Sequence, residues 1–123
     1  MKREGSTQDL GKYGEDLAIK FLKRKGYKIL QRNFRSKFGE IDIIAQEQDT
    51  LVFVEVKTRW SQSFGPPEEA ITPWKIKAII KTGQYFKLLH PQTPDCLRMD
   101  AVVIEMDKGG QVSRMEIVKN LTS

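Results

Sequence analysis

Residues 39–59, GEIDIIAQEQDTLVFVEVKTR, contain two short apolar runs joined by a polar segment, a pattern that predicts a β-hairpin. Both runs carry charged side chains where a buried strand normally has none. Glu40 and Asp42 lie among isoleucines, and Glu55 and Lys57 interrupt a run of valines. Charged residues inside a sheet need an explanation, and that explanation bears on both the fold and the function of the chain.

The rest of the chain supplies two helices and three more strands around this hairpin. Apolar residues recur at helical spacing between Asp9 and Lys25. Thr72 and Pro73 provide an N-cap and a first-turn proline for a second helix, which is expected to run to about Leu89. Strands are expected at 27–34, 40–46, 51–58, 97–106 and 112–120.

The order α-β-β-β-α-β-β predicts an α/β fold with a mixed central sheet flanked by helices. A chain of 123 residues fits a single domain over positions 1–123, with residues 1–8 as a flexible start. One helical turn is expected after Pro66 and Pro67.

Charge and rare residues limit the classes of function. The net charge of +5 and the pI of about 9.4 favour an anionic partner such as nucleic acid. No apolar run is long enough to span a bilayer, and the N-terminus lacks a signal-peptide core, so we expect a cytoplasmic protein without a membrane partner. The single cysteine and single histidine exclude a four-ligand Cys/His zinc site. We expect Cys96 to be a buried structural thiol and His90 to cap the second helix.

The hairpin geometry predicts a close pair of carboxylates. If the turn is centred near Gln48 and Asp49, Asp42 lies roughly opposite Glu55, at the distance where like charges repel. Side chains alternate along a strand, so Lys57 projects from the same face as Glu55. Two such carboxylates suit Mg²⁺ or Mn²⁺, which bind oxygen ligands and leave positions for water and phosphate. The alternative is a cross-strand salt-bridge cluster of Asp42, Glu55 and Lys57 with a purely structural role.

Five blocks of sequence carry a resemblance to a known family. They are GKYGEDLAIKFL, GEIDIIA, FVEVKTR, FGPPEEAI and RMDAVVIE, and they occur in this order over about residues 9–106. The chain resembles the YraN-like bacterial proteins, which are related to archaeal Holliday-junction resolvases within the PD-(D/E)xK nuclease superfamily. The resemblance implies a restriction-endonuclease-like core with the same order of elements.

The resemblance also implies roles for individual residues. Asp42 and Glu55 correspond to the metal-binding acids, and Lys57 to the catalytic lysine of the E-x-K element. Glu15 matches the first-helix acid that completes the catalytic and metal site in resolvase-like members. Gln84, on the second helix, is expected to border the site.

The implied activity is a Mg²⁺- or Mn²⁺-dependent endonuclease that acts on DNA, including branched structures. Ile41 replaces the proline of the superfamily motif, a position that many members also vary. Two alternatives stay open, namely a non-catalytic nucleic-acid-binding protein and a protein-interaction module in which the acids are structural. Resolvase-like relatives act as dimers, so the resemblance admits a homodimer and leaves the oligomeric state open.

Basic and aromatic side chains are the expected contacts to nucleic acid. Phosphate contacts fix position without reading sequence, so a structure-selective binder is expected. Exposed aromatic rings would stack on unpaired bases, although for Trp60 and Phe64 the favoured alternative is that they anchor a loop in the core. The predicted phosphate contacts are Arg35, Lys37, Arg59, Lys77 and Lys81, with Arg32 and Lys75 as further candidates, and the predicted stacking residues are Trp60, Phe64 and Trp74.

Overall fold

The computed structural model describes residues 7–61, 65 and 67–122, and its elements follow the predicted order. The expected flexible start falls mostly outside this range, and the first helix begins before the predicted Asp9. The elements are α1 (Thr7–Arg24), β1 (Lys28–Ser36), β2 (Gly39–Glu47), β3 (Thr50–Trp60), a 3-10 turn (Pro67–Ala70), α2 (Pro73–Leu89), β4 (Cys96–Met106) and β5 (Val112–Val118).

The strands form one mixed sheet in the order β1-β2-β3-β4-β5. β3 and β4 are parallel, because α2 carries the chain back along the sheet between them, and the other neighbours are antiparallel. This arrangement confirms the predicted α/β class and mixed sheet. In the described part of the chain, neither helix is long and apolar enough to cross a membrane.

α1 and α2 pack on opposite faces of the sheet and create two apolar layers. The alternation of β3 divides its side chains between them, with Val52 and Val54 towards α1 and Leu51 and Phe53 towards α2. The buried α1-side layer comprises Ala18, Leu22, Tyr27, Ile43, Ala45, Val52, Val54, Val102, Ile104 and Met106. The buried α2-side layer comprises Phe34, Ile41, Ile44, Leu51, Phe53, Ile79, Phe86 and Met99.

The ends of α2 form as the sequence predicts. The hydroxyl of Thr72 accepts a hydrogen bond from the backbone N–H of Lys75 at 3.2 Å. His90 caps the other end, since its backbone N–H donates to the Phe86 carbonyl at 3.0 Å and its ring stacks on the Phe86 ring at 4.1 Å. The prediction for Cys96 is wrong, because this thiol is exposed. Cys96 is the first residue of β4 and lies at the margin of the sheet, where neither apolar layer covers it.

Gly83 lies where α2 crosses Phe53. A β-carbon at this position would come within 2.3 Å of the Phe53 ring, which is fully buried. Gly83→Ala is therefore expected to lower the free energy of unfolding by about 1–3 kcal/mol, even though alanine favours a helix by about 1 kcal/mol. Gly11→Ala adds a β-carbon in open space on α1 and is the matched control, with a neutral or stabilising effect. Urea unfolding measures both variants, and equal midpoints would contradict this close packing.

Candidate functional site

The two acids of the hairpin lie where β2 and β3 separate. Pairing between these strands ends at Ile43 and Val54. Beyond that point β2 remains paired with β1 and β3 remains paired with β4, so the two strands diverge and the sheet opens as a fork. One further step in the same register brings Asp42 opposite Glu55, as predicted from the hairpin turn.

Asp42 lies directly beyond the last paired residues, at the point where β2 and β3 begin to separate. Its Oδ2 accepts a hydrogen bond from the backbone N–H of Val56 at 2.8 Å, in place of the backbone partner that β2 no longer offers. The strict alternation assumed from the sequence fails beside it, because Ile41 and Ile44 belong to the same apolar layer. Asn33, which lies across from Asp42 on β1, has a φ of 52°, a left-handed conformation that asparagine tolerates and that interrupts the regular pleat.

Burial and mutual repulsion govern the two carboxyl groups. The side chain of Glu55 is fully enclosed, with 2% of its surface exposed. Burial is the largest cause that raises the pKa of Asp42, followed by the charge of Glu55, and together they raise it to about 7. The hydrogen bond from Val56 opposes this shift. A proton or a cation between the two groups therefore relieves an unfavourable interaction.

Lys75, in the first turn of α2, supplies the nearest cation. Its ammonium lies 2.5 Å from Oε2 of Glu55. Burial lowers the pKa of Lys75, but the hydrogen bond and the charge of Glu55, together with the charge of Asp42, outweigh this effect, so the net pKa is raised. Glu55 thus forms a salt bridge, but with a lysine of α2 rather than with Lys57, the partner named in the cross-strand alternative.

Glu15 approaches the fork from the α1 side. A β-carbon at Gly14 would lie 1.9 Å from Oγ1 of Thr58, so the glycine lets α1 pack close to β3 and brings the next residue towards the site. Burial raises the pKa of Glu15, and the charge of Asp42 adds to this effect. Arg32 lies 3.5 Å from Glu15 and opposes the shift. Glu15 therefore faces the sheet near Asp42, and its role in the metal site stays a prediction.

Two of the predicted acids are brought together, and the other site residues lie around them. Lys57 is half-buried on the α2 side of β3, where its side chain forms no ion pair with any described residue. Over residues 7–61, 65 and 67–122, no group of three or more acids, histidines or cysteines is close enough to hold a metal ion. Asp42 and Glu55 thus form the centre, with Glu15 outside direct contact.

Comparison with known proteins identifies the family. The model for the uncharacterised protein family UPF0102 matches residues 14–104. The chain belongs to the UPF0102 family. It is 46% identical over 116 residues to a UPF0102 protein of Caldicellulosiruptor saccharolyticus, which covers 94% of this chain and 98% of the relative. A UPF0102 protein of Persephonella marina is 48% identical over 94 residues, 76% and 81% of the two chains. One from Chlorobium phaeobacteroides is 52% identical over 97 residues, which cover 78% of this chain and 76% of the relative.

The matched segment of the UPF0102 family contains the whole site described above. Glu15, Asp42, Glu55, Lys57 and Lys75 all lie within residues 14–104. The match confirms the predicted resemblance at the level of the bacterial family. Membership of the nuclease superfamily stays a prediction.

Four of the five predicted phosphate contacts of this UPF0102 protein lie on α2 or at the β1–β2 turn. Arg35, Lys37, Lys77 and Lys81 are all exposed. Arg35 pairs with Glu40 at 2.6 Å, so part of its charge is already engaged. The fifth predicted contact, on β3, is the half-buried Arg59.

Other predicted contacts are distributed differently. Arg32 is held by α1, since its guanidinium donates to Asp16 at 3.0 Å as well as lying near Glu15. Trp60 packs against the α1-side layer, which matches the alternative that it anchors a loop. Trp74 is 82% exposed and free to stack on a ligand. Phe64 lies outside the described residues.

Gln84 is exposed on α2 and is not brought to the acids. Gln84 lies nine positions after Lys75, which is about two and a half helical turns, so the two side chains leave opposite sides of the helix. No described hydrogen bond or ion pair joins Gln84 to Asp42 or Glu55. The structure therefore gives no contact that supports the predicted border role.

Lys75 is the site residue whose role the sequence analysis missed. It was predicted only as a phosphate contact, whereas its ammonium binds Glu55. The available signal was topological. In a β-α-β crossover the helix starts near the end of the strand that it follows, so the first turn of α2 returns to the latter half of β3.

Lys75→Met tests whether this lysine balances the acid pair. The change removes the only ammonium bonded to Glu55 among the described residues, and we expect the metal-free protein to lose about 1–2 kcal/mol of stability at pH 8. The loss is smaller than for a fully buried pair, because Lys75 is half exposed. Lys77→Met, two residues along the same helix, is the control. Thermal unfolding with and without Mn²⁺ provides the measurement, and equal melting temperatures for the two variants would contradict the assigned role.

Proposed function

We propose that this UPF0102 protein is a divalent-metal-dependent endonuclease that hydrolyses phosphodiester bonds in DNA. The observation that carries the proposal is the pair of acids at the fork, where burial and Glu55 raise the pKa of Asp42 to about 7. A buried like-charge pair is unfavourable for folding, and such perturbed groups concentrate at functional sites. The resemblance to PD-(D/E)xK nucleases supports the same function, and the net charge of +5 suits a polyanionic substrate.

The donor set of the fork fits Mg²⁺ or Mn²⁺. Both ions prefer carboxylate oxygens, and Mg²⁺ is commonly held by one or two carboxylates together with water and substrate phosphate. Asp42 and Glu55 would supply the two carboxylates, and their repulsion is the kind that a divalent cation relieves. When bound, such an ion polarises the scissile phosphate and lowers the pKa of a coordinated water.

The residues around the pair have complementary roles in this proposal. Lys57 projects from β3 on the same side as Glu55 and would orient the attacking water or stabilise the charge that develops on the phosphate. Lys75 neutralises Glu55 in the metal-free protein and would move to a phosphate oxygen when a cation takes its place. Glu15, which interacts electrostatically with Asp42, is the acid that would complete the site.

A cleavage assay on a panel of DNA structures tests the proposal. Purified protein is incubated with duplex, single-stranded, flap and four-way-junction DNA, in Mg²⁺, in Mn²⁺ and in EDTA. The proposal predicts cleavage with either divalent ion and none in EDTA, with preference for a branched or tailed substrate. Asp42→Ala and Glu55→Ala proteins, purified in parallel, identify any contaminating nuclease.

The other outcomes of this assay correspond to the alternative functions. DNA binding without cleavage in every metal would favour a nucleic-acid-binding protein that keeps the fold of a nuclease. Weak DNA binding that is unchanged when Lys77 or Lys81 is replaced, with no metal binding, would favour an interaction module in which the acids are structural. Either result would contradict the proposed activity.

A further inference from the structure

The outer face of α2 combines exposed aromatic rings with unpaired lysines. The helix has four lysines and no acidic residue over its 17 residues. Trp74, Lys77, Lys81 and Tyr85 lie on one side of it, because residues three, four and seven positions apart share a face of a helix. Trp74 is 82% exposed and Tyr85 is 42% exposed. Among the described residues, Lys77 and Lys81 take part in no ion pair.

The β1–β2 turn adds a third ring to this face. The hydroxyls of Ser36 and Thr82 are hydrogen-bonded at 2.9 Å, which fixes the turn against α2. Phe38, in the turn, is 42% exposed. The ammonium groups of Lys37 and Lys81 lie 5.3 and 5.6 Å from the centre of its ring. We call Phe38, Trp74, Lys77, Lys81 and Tyr85 the aromatic–basic stripe.

The stripe starts at the fork and leads away from it. Lys75, which follows Trp74, is bonded to Glu55, so the stripe begins in the helical turn of α2 that borders the acid pair. Tyr85 lies about 17 Å further along the helix, a distance that spans roughly five nucleotides at the rise of a stacked strand. A groove of about 380 Å³, lined in part by Arg35, Phe38 and Tyr85, continues the surface at that end.

We propose that the aromatic–basic stripe binds a single-stranded segment of nucleic acid that leads into the Asp42–Glu55 fork. The rings would stack on unpaired bases, and Lys77 and Lys81 would contact the phosphates between them. The inference that this strand leads to a reacting phosphate rests on the proposed function. The inference that the stripe binds a single strand does not. The substrate class that follows is a duplex with a single-stranded tail or flap.

The arrangement of the side chains favours this occupant over two others. In a duplex the base faces are hidden, so Trp74 would have nothing on which to stack. Helices that lie on a membrane surface separate an apolar face from a basic face. Here Lys77 and Lys81 lie between Trp74 and Tyr85 on the same face, which matches the alternation of phosphate and base along a single strand.

The test measures binding without metal, so that it is independent of cleavage. Fluorescence anisotropy in EDTA compares a labelled 12-nucleotide oligothymidylate with a blunt duplex. Trp74→Ala is expected to weaken oligothymidylate binding about tenfold, and Trp74→Phe to retain most of it. Lys81→Ala is expected to reduce the slope of log affinity against log salt by about 0.7. Lys20→Ala, an exposed lysine on the opposite helix, is the matched control and should leave both quantities unchanged.

Each outcome either supports the stripe or overturns it. Oligothymidylate binding that falls in Trp74→Ala and Lys81→Ala supports it, even if no DNA is ever cleaved, in which case only the proposed activity is lost. Binding that is equal in all variants overturns the stripe, even if cleavage is robust. Failure to bind oligothymidylate, with Trp74-dependent binding to phosphatidylglycerol vesicles, would assign the surface to a lipid. Trp74-dependent self-association in sedimentation, with no oligonucleotide binding, would assign it to a second copy of the chain.

Discussion

Changing Glu55 to Gln is expected to reduce metal-dependent cleavage of DNA about a thousandfold while preserving the fold. Glutamine has the same shape and keeps an oxygen that accepts a hydrogen bond from Lys75. It also removes one charge from a pair whose repulsion helps to raise the pKa of Asp42. The variant lacks the second carboxylate that is needed to hold Mg²⁺ or Mn²⁺. Initial rates on the preferred substrate of the DNA panel provide the measurement.

Glu47→Gln is the matched control for this variant. Glu47 also lies in the sheet, and its carboxylate is paired with Arg98 at 2.5 Å and with Lys119 at 3.0 Å. Its position at the far end of β2, beside the hairpin turn, separates it from the fork. We expect its cleavage rate to stay within about threefold of wild type, since Glu47 lies away from the acid pair and its ion pairs with Arg98 and Lys119 are at the other end of the sheet. Equal rates for wild type and Glu55→Gln would place the chemistry outside the acid pair.

Asp42→Asn is expected to stabilise the metal-free protein at pH 8 by at least about 1 kcal/mol. The pKa of Asp42 is raised from 3.8 to about 7 in the folded protein, chiefly by burial. Between these two pH values the native state keeps a proton that the unfolded chain has released. The protonated Asp42 carboxyl therefore makes its full contribution to the stability of the wild type below about pH 4, and this contribution is lost as the pH rises through 7. Asparagine keeps the acceptor for Val56 without a charge, so it avoids this loss.

Urea unfolding of wild type and Asp42→Asn at pH 4, 6 and 8 checks the sign. The difference between the two proteins should grow from pH 4 to about pH 7 and then level off, because only the wild type has a carboxyl group that releases its proton at lower pH in the unfolded chain than in the native protein. Saturating Mn²⁺ should reverse the order at pH 8, since a cation stabilises the native state to which it binds. A variant that is less stable than wild type at pH 8 in EDTA would contradict the repulsion described for this pair.

The elements of the fold were predictable because their signals are local. The apolar spacing of α1, the N-cap Thr72 with Pro73, and the polar turn between β2 and β3 depend on neighbouring residues only. The register that brings Asp42 opposite Glu55 follows from the position of that turn. The exposure of Cys96 was not predictable in this way, because it depends on where the sheet ends rather than on the apolar strand that follows.

The site was predictable only in part, because its charges come from distant segments. Asp42 and Glu55 are joined by one hairpin, so simple strand geometry brings them together. Lys75 reaches Glu55 only through the crossover of α2, and Glu15 through the close approach of α1 at Gly14. Local patterns do not report such contacts, which depend on how helices pack against the sheet.

Calorimetric titration of Mn²⁺ into wild type and Glu55→Gln at pH 8 tests the central claim most directly. The claim is that the fork of the sheet is a divalent-cation site built on Asp42 and Glu55. We expect one Mn²⁺ site per chain in wild type, with affinity that weakens as the pH falls below 7 and Asp42 takes up a proton. Glu55→Gln should show no binding at this site. Binding that is equal in both proteins, or absent from both even when DNA is present, would contradict the claim and leave the two acids as a structural pair.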